Sequence, residues 1–393
     1  MTKMFFTNVR AVMHREWNRM VERPIYLFSS VFVMIFCYLF FLTFFSEGLP
    51  QAMPVGVVDH DNSYVSRTFI RNIEAVPQIG KVTRFIDYSE ARDAMQRGDI
   101  YAFFMVDEDF EKKMMSAQQP EFAFYVNDAY LVPGSLIYKD LTYIGKLGSG
   151  FVQKTMLEMS GTTDESTLMA MLQPISMDAH LLANPYTNYG VYLINMLLPG
   201  IMQMLILLMT VFTIGYELKM RTTPQWLQTA NGSFLAALTG KLLPYTLLFS
   251  LLGIIGNLIL YRYMHFPMNG SLVHLSFATV LYVVAYQAIG VFCIGLLPVL
   301  REAISLVAVY AILGVSFTGF TFPVEAMPYG AQIFQHLFPV RFYFKIYVNE
   351  ALNGAPLHYS AINFVAIAAF FLLPLLVYKR LKNAAIQLNY PSK

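Results

Sequence analysis

Apolar residues in this chain fall into long uninterrupted blocks separated by polar stretches. The first block, residues 25–45 (IYLFSSVFVMIFCYLFFLTFF), carries no charge. At a rise of about 1.5 Å per residue such a helix reaches roughly 30 Å, the thickness of a bilayer core. Comparable blocks cover 189–216, 242–261, 272–299, 303–322 and 359–378. The pattern predicts an α-helical polytopic membrane protein with six transmembrane helices. Residues 46–188 follow a different rhythm. PVGVVD (54–59), KVTRFIDY (81–88), IYAFFMV (100–106) and EFAFYVND (121–128) read as strands. Helices alternate with them: 61–75 with Asn62 or Ser63 as N-cap, 89–98 capped by Ser89 and stopped by Gly98, and a turn or two over 107–115. This order predicts an inserted α/β domain. Apolar residues at helical spacing (Ile137, Leu141, Ile144, Phe151, Met156, Met159) then predict an amphipathic helix over 135–159, and a short helix over 164–173.

Composition sharpens the membrane reading. Of 393 residues, 56% are apolar and 13% charged, against roughly 25% charged in soluble domains. A net charge of +2 gives no footprint for a nucleic-acid partner. Cys37 and Cys293 both lie inside apolar runs, where they read as small buried hydrophobes rather than a disulfide. The first block is too long for the core of a cleavable signal peptide. Basic residues near the span ends set the orientation. With the N-terminus inside, the inner segments hold Lys3, Arg10, Arg15, Arg19, Arg23, Lys219, Arg221, Lys241, Arg301, Lys379, Arg380, Lys382 and Lys393, whereas the short outer ones hold Arg262, Arg341 and Lys345. Both termini are therefore expected in the cytoplasm and residues 46–188 outside. That segment carries 19 acidic and 11 basic residues, a net of −8, which does not oppose translocation of a large domain.

Candidate chemistry is sparse. Asp107, Glu108, Asp109 and Glu111 could ligate a metal, but acids also favour helix starts. Asp59, His60 and Asp61 follow a strand and read better as a capped turn. No G-x-S-x-G or H-E-x-x-H motif occurs, and the seven histidines are scattered. The nearest approach to a phosphate-binding loop, GSFLAALTGKLL (232–243), has its glycines too far apart and Leu242 where a hydroxyl should hold magnesium. Lys241 reads instead as an anchor beside the third span. If ATP is used, its ATPase is another polypeptide.

Several local patterns together resemble the ABC type-2 membrane-protein family, the permease half of many bacterial ATP-binding-cassette exporters. NPYTNYGVYLINMLLPG (184–200) resembles that family's entry into the second span. GYELKMRTTPQWLQT (215–229) sits where the family has a charged cytoplasmic segment opening with Glu. GKLLPY (240–245) is similar to its third-span start, and FTGFTFPVEAMP (317–328) to its signature at the end of the fifth span. The segment keeps Glu217 but has Lys219, Met220 and Arg221 where the family often has Glu and Gly.

The resemblance implies a multi-pass bacterial inner-membrane subunit without its own ATPase site or cofactor, with ATP and magnesium on partner ABC ATPase subunits. It also implies a second permease copy, identical or related, and an export path between the two for a drug-like or lipid-like substrate. Residues 1–24 would form a cytoplasmic amphipathic connecting helix, with Val9, Val12, Met13, Trp17, Met20 and Val21 on one face. Residues 217–239 would form the coupling segment, with QWLQTA as a short helix. Together they give Arg15, Glu16, Glu217, Lys219, Arg221 and Trp226 as ATPase-coupling candidates. Gly319 and Pro323 would end the fifth helix. Residues 323–355, too polar and broken to cross, would form a re-entrant hairpin within the domain 189–378. Its mouth or gate candidates are Gly319, Pro323, Glu325, Arg341 and Glu350, with Glu350 facing outer water or the cavity and Arg341 and Lys345 able to pair with the acids. Asn195 and Gln203 could line the path or bond between helices. Residues 379–393 would be a cytoplasmic tail. The outer domain suits handover to a periplasmic adaptor and an outer-membrane channel. Two other readings stand beside this one. A membrane enzyme would need a convergent set of acids, histidines or nucleophiles, and a non-transporting scaffold or receptor would act through the acidic outer domain.

Overall fold

The computed structural model describes residues 2–116, 118, 120–159, 164, 169, 171, 172, 180–387 and 390. The chain divides into two compact units, Glu47–His180 and the combination of Met1–Ser46 with Leu181–Lys393.

The inserted unit, Glu47–His180, is built on a four-stranded sheet in the order β2-β1-β3-β4. Strand β1 (Met53–Asp59) is central and almost wholly buried, as its continuous apolar run requires. It pairs in parallel with β2 (Ile79–Phe85) and β3 (Ala102–Val106). Helices α3 (Tyr64–Glu74) and α4 (Tyr88–Arg97) make the two crossovers. After the short helix α5 (Phe110–Met115), β4 (Phe122–Val126) returns antiparallel to β3. Side-chain alternation sorts the sheet into two cores. Val55, Val57, Phe104 and Val106 pack with Ile70 and Ile73 of α3 and with Ile137, Leu141 and Ile144 of α6 (Leu131–Met159). Val58 and Phe103 pack on the other face against Ala91 and Ala94 of α4.

The local stops follow the side chains. Ser63 caps α3 by accepting from the Ser66 amide at 3.0 Å. Asp87, not Ser89, caps α4, accepting from the Glu90 amide at 2.9 Å while Glu90 accepts from the Ile86 amide at 2.8 Å. This reciprocal pair outcompetes a hydroxyl two residues later. Gly98 ends α4 in the left-handed region, φ +81°. Asp59 is used in the turn, accepting from the Asn62 amide (3.0 Å) and the Ser66 hydroxyl (3.1 Å). Phe151 is exposed rather than on the packed face of α6. The Met156 and Met159 side chains, and most of the expected 164–173 helix, lie outside the described residues.

The other unit is helical. Among the described residues five helices are long and apolar enough to cross a membrane: α2 (Pro24–Phe44), α7 (Tyr189–Lys219), α9 (Phe234–Tyr263), α10 (Leu272–Leu296) and α14 (Leu357–Gln387). Helix α11 (Leu300–Ser316) has 17 residues, less than the 303–322 reading expected at its far end. It stops because Thr318 turns back on Val315 and Gly319 takes φ +81°. Helix α9 starts inside the expected connecting segment, capped by Ser233, and α14 runs through most of the expected tail. Residues 323–355 hold short helical pieces, chiefly α12 (Tyr329–Phe334) and α13 (Pro339–Tyr347), with a wider π turn over Val348–Leu352. Helix α1 (Thr2–Glu22) precedes α2, and α8 (Thr223–Thr229) links α7 to α9.

Candidate functional site

Four elements of the helical unit converge on one buried cluster of charge. Helix α1 lies along the start of α9, and the approach is close enough to demand glycine. A Cβ at Gly240 would sit 2.6 Å from the Val9 carbonyl oxygen and 2.8 Å from Val12 Cβ. The packed face of α1 is therefore Val9, Val12, Glu16 and Met20, all buried, at helical spacing. Trp17 and Val21, expected on that face, point outward instead and leave a second, exposed apolar strip. The α1 face is narrower than the apolar count suggested because Glu16 occupies its centre.

Glu16, Glu217 and Lys241 are all fully buried. Lys241 Nζ donates to Glu16 Oε2 at 2.6 Å and to Glu217 Oε1 at 3.0 Å. Glu217 Oε1 also accepts from Arg15 Nη1 at 2.9 Å and from Arg19 Nη1. The Thr222 hydroxyl donates to Glu217 Oε2, and the Tyr245 hydroxyl donates to Glu16 Oε1 at 3.1 Å. Two carboxylates thus meet three cations, and every carboxylate oxygen has a donor. That is the condition under which a buried ion network is tolerated. Burial is the largest single influence on Arg19 and opposes its charge, but the neighbouring Glu217, Tyr26 and Glu16 together outweigh it and raise the Arg19 pKa.

Neighbouring contacts tie α8 into the same cluster. Trp226 is buried, donates from Nε1 to the Ala237 carbonyl at 3.1 Å, and sits under Lys241 Nζ at 5.2 Å. Asn8 Nδ2 donates to the Ala230 carbonyl at 3.1 Å, and Asn231 Nδ2 returns a bond to Asn8 Oδ1 at 2.7 Å. Arg23 donates to the Tyr216 hydroxyl at 2.7 Å. Directional bonds thus join α1 and α8 to the ends of α7 and α9.

The sequence candidates separate into two groups here. Glu16, Glu217 and Trp226 are buried in the junction, and Arg15 is a quarter exposed beside it. Lys219 and Arg221 are exposed, and Arg221 has φ +56°. Lys241 is not a surface anchor but the centre of the network. A charge within an apolar helix face, Glu16 on α1 and Lys241 on α9, was the signal that marks both.

The other candidates sit apart. Gln203 is buried and donates to the Ala311 carbonyl at 2.9 Å, fastening α7 to α11. Asn195 accepts from the Tyr261 hydroxyl at 2.8 Å, fastening α7 to α9. Arg341 pairs with neither acid; its Nη1 donates to the Thr318 carbonyl at 3.2 Å, where the chain leaves α11. Gly319 is required there, since a Cβ would meet Val324 at 2.6 Å and Arg341 Nη1 at 3.0 Å. Pro323 then precedes the 3-10 turn of Val324–Ala326 and Glu325 is exposed. Glu350 does not face water. It is buried and hydrogen-bonded to His274 Nδ1 at 2.9 Å, because the π turn rotates it onto the first turn of α10. Lys345 is exposed.

The family model described as ABC-2 family transporter protein matches residues 24–378, from the start of α2 to within α14. No curated protein matches the chain.

Proposed function

The chain belongs to the ABC-2 family of transporter proteins, and from that premise we propose that it is the permease subunit of an ATP-binding-cassette exporter. The family's ATPase is a separate subunit, so the partner is a cytoplasmic ABC ATPase that carries the ATP and magnesium. The observation that carries the coupling role is the Glu16–Lys241–Glu217 network joining α1, α7, α8 and α9. In this reading both termini and α8 are cytoplasmic. Arg15, Lys219 and Arg221 meet the ATPase, while Glu16, Glu217 and Trp226 hold the receiving surface rigid. The exposed Trp17 and Val21 lie at the membrane interface.

Six helices cross the inner membrane, α11 being the fifth, and residues 323–355 form a re-entrant hairpin on the outer side. The inserted unit is extracytoplasmic. Two copies, identical or related, enclose the path of a hydrophobic or amphipathic substrate moving outward, with a periplasmic adaptor and outer-membrane channel as further partners. Gly319, Pro323, Glu325, Arg341 and Glu350 shape the outer mouth. Support for this comes from the positive-φ turn at Gly319 and the Arg341 bond that pins it. The test is co-purification with a candidate ABC ATPase and ATP-driven substrate movement in liposomes. Glu325→Gln is expected to abolish export while the complex still assembles; undiminished export would remove the gate role.

A further inference from the structure

The second span has a built-in break, and a small polar cavity lies against it. Pro199 is inside α7 and has no amide hydrogen, so the carbonyl of Asn195, four residues earlier, loses its helical donor. An unserved carbonyl within a membrane span costs free energy unless something re-satisfies it. The wall beside this break is shared by five elements. Asn195 and Pro199 come from α7, Asn257 from α9, Thr279 from α10, Tyr343 and Tyr347 from α13, and α2 closes the remaining side. The enclosed space is ≈ 20 Å³. One water needs about 10–15 Å³ measured in this way and two to four polar partners.

The polar groups around the space are already organised. Asn257 Nδ2 donates to Thr279 Oγ1 at 3.0 Å, and Thr279 Oγ1 lies 3.1 Å from the Tyr343 hydroxyl. Asn195 Oδ1 is held by Tyr261 at 2.8 Å, and the Pro199 carbonyl is served by the Tyr282 hydroxyl at 2.8 Å. None of these side-chain bonds is donated to the Asn195 carbonyl, which Pro199 deprives of its regular helical donor. We propose that the cavity binds a single ordered water, which donates to that carbonyl and joins it to the Asn257–Thr279–Tyr343 chain. The missing helical bond of the second span is then bridged by water to the third and fourth spans and to α13. A cation is disfavoured, because every polar residue at the wall is neutral and no carboxylate offsets a charge in this apolar setting. The cavity is also far too small for a drug-like or lipid-like molecule, so any export path lies elsewhere. The proposal rests on the geometry of this one unit and does not depend on the direction or substrate of transport.

The experiment is a structure of the full-length protein at about 2 Å in lipid nanodiscs, together with the Pro199→Ala variant. One solvent peak at ordinary hydrogen-bond distance, about 2.7–3.1 Å, from the Asn195 carbonyl and the Asn257 side chain is expected. In Pro199→Ala the restored amide should take over the carbonyl, and the peak should be lost. A dry cavity, a peak with five or six short oxygen contacts typical of a cation, or a peak unchanged in Pro199→Ala would each overturn the assignment. Asn257→Leu gives a second readout at similar side-chain volume: the peak should be lost there too, and its persistence would contradict the bridge.

Discussion

Lys241 is the residue on which the account turns. Removing one partner of a buried ion network leaves the others uncompensated and costs about 3–5 kcal/mol, whereas replacing both partners by apolar groups is often close to neutral. Lys241→Met should therefore lower the thermal midpoint of the purified protein strongly. Adding Glu16→Met should recover most of that loss, because Glu217 keeps Arg15 and Arg19. A double variant no more stable than the single one would show that the network does not act as a unit. Gln203→Leu is a smaller test. It removes one interhelical bond to Ala311 and should cost about 1 kcal/mol, read by thermal unfolding in the same detergent. In the inserted unit, burial pushes the Asp140 carboxyl pKa up and its Oδ2 has no hydrogen-bond partner. A raised folded pKa contributes stability below the unfolded value and loses it as pH rises through the folded value. Asp140→Asn should thus raise the unfolding midpoint at pH 7–8, with the gain vanishing on acidification; a gain that persists in acid would contradict the burial cause.

At the scale of elements, α1 is seated by a glycine and by few apolar side chains. Gly240→Val would drive its side chain into the Val9 carbonyl and Val12, lifting α1 while leaving the spans packed. ATP-driven transport should be lost with helix content unchanged by circular dichroism, and retained transport would detach α1 from coupling. Much of this level was legible in the sequence. Uncharged blocks marked the long helices because a bilayer requires them, and the strand–helix alternation of the inserted unit followed from period-2 and period-3.6 patterns. What the pattern could not give was direction. Residues 121–128 read as a strand, yet whether β4 returns parallel or antiparallel depends on pairing with β3 across the sheet. The Ser89 cap was misread because Asp87 and Glu90 act reciprocally. Glu350 was misplaced because a π turn adds about a third of a turn, and no local residue announces it. The junction was half legible: Glu217 and Trp226 stood in the expected segment, but that Glu16 and Lys241 meet needs two helices distant in sequence to pack together.

At the scale of the molecule, two compact units of different composition share one chain. The inserted unit holds 19 of the 25 acidic residues, while the helical unit confines its buried charge mainly to the junction at one end of α1, α7 and α9 and to the His274–Glu350 contact. Arg341 is the further buried charge, held by the Thr318 carbonyl, and such a distribution suits a membrane subunit that receives mechanical work at one place. In the proposed reading the ATPase is received beside the buried network, at Arg15, Lys219 and Arg221, while the exposed Trp17 and Val21 of α1 lie at the membrane interface. The most direct test is ATP-dependent movement of an amphipathic dye in liposomes holding the partner ATPase and either the wild-type chain or the stable Glu16→Met/Lys241→Met pair. The account predicts transport by the wild type and its loss in the pair, with ATPase subunits still bound to both. Transport by the pair at the wild-type rate would contradict the claim that this buried network couples the ATPase to the spans.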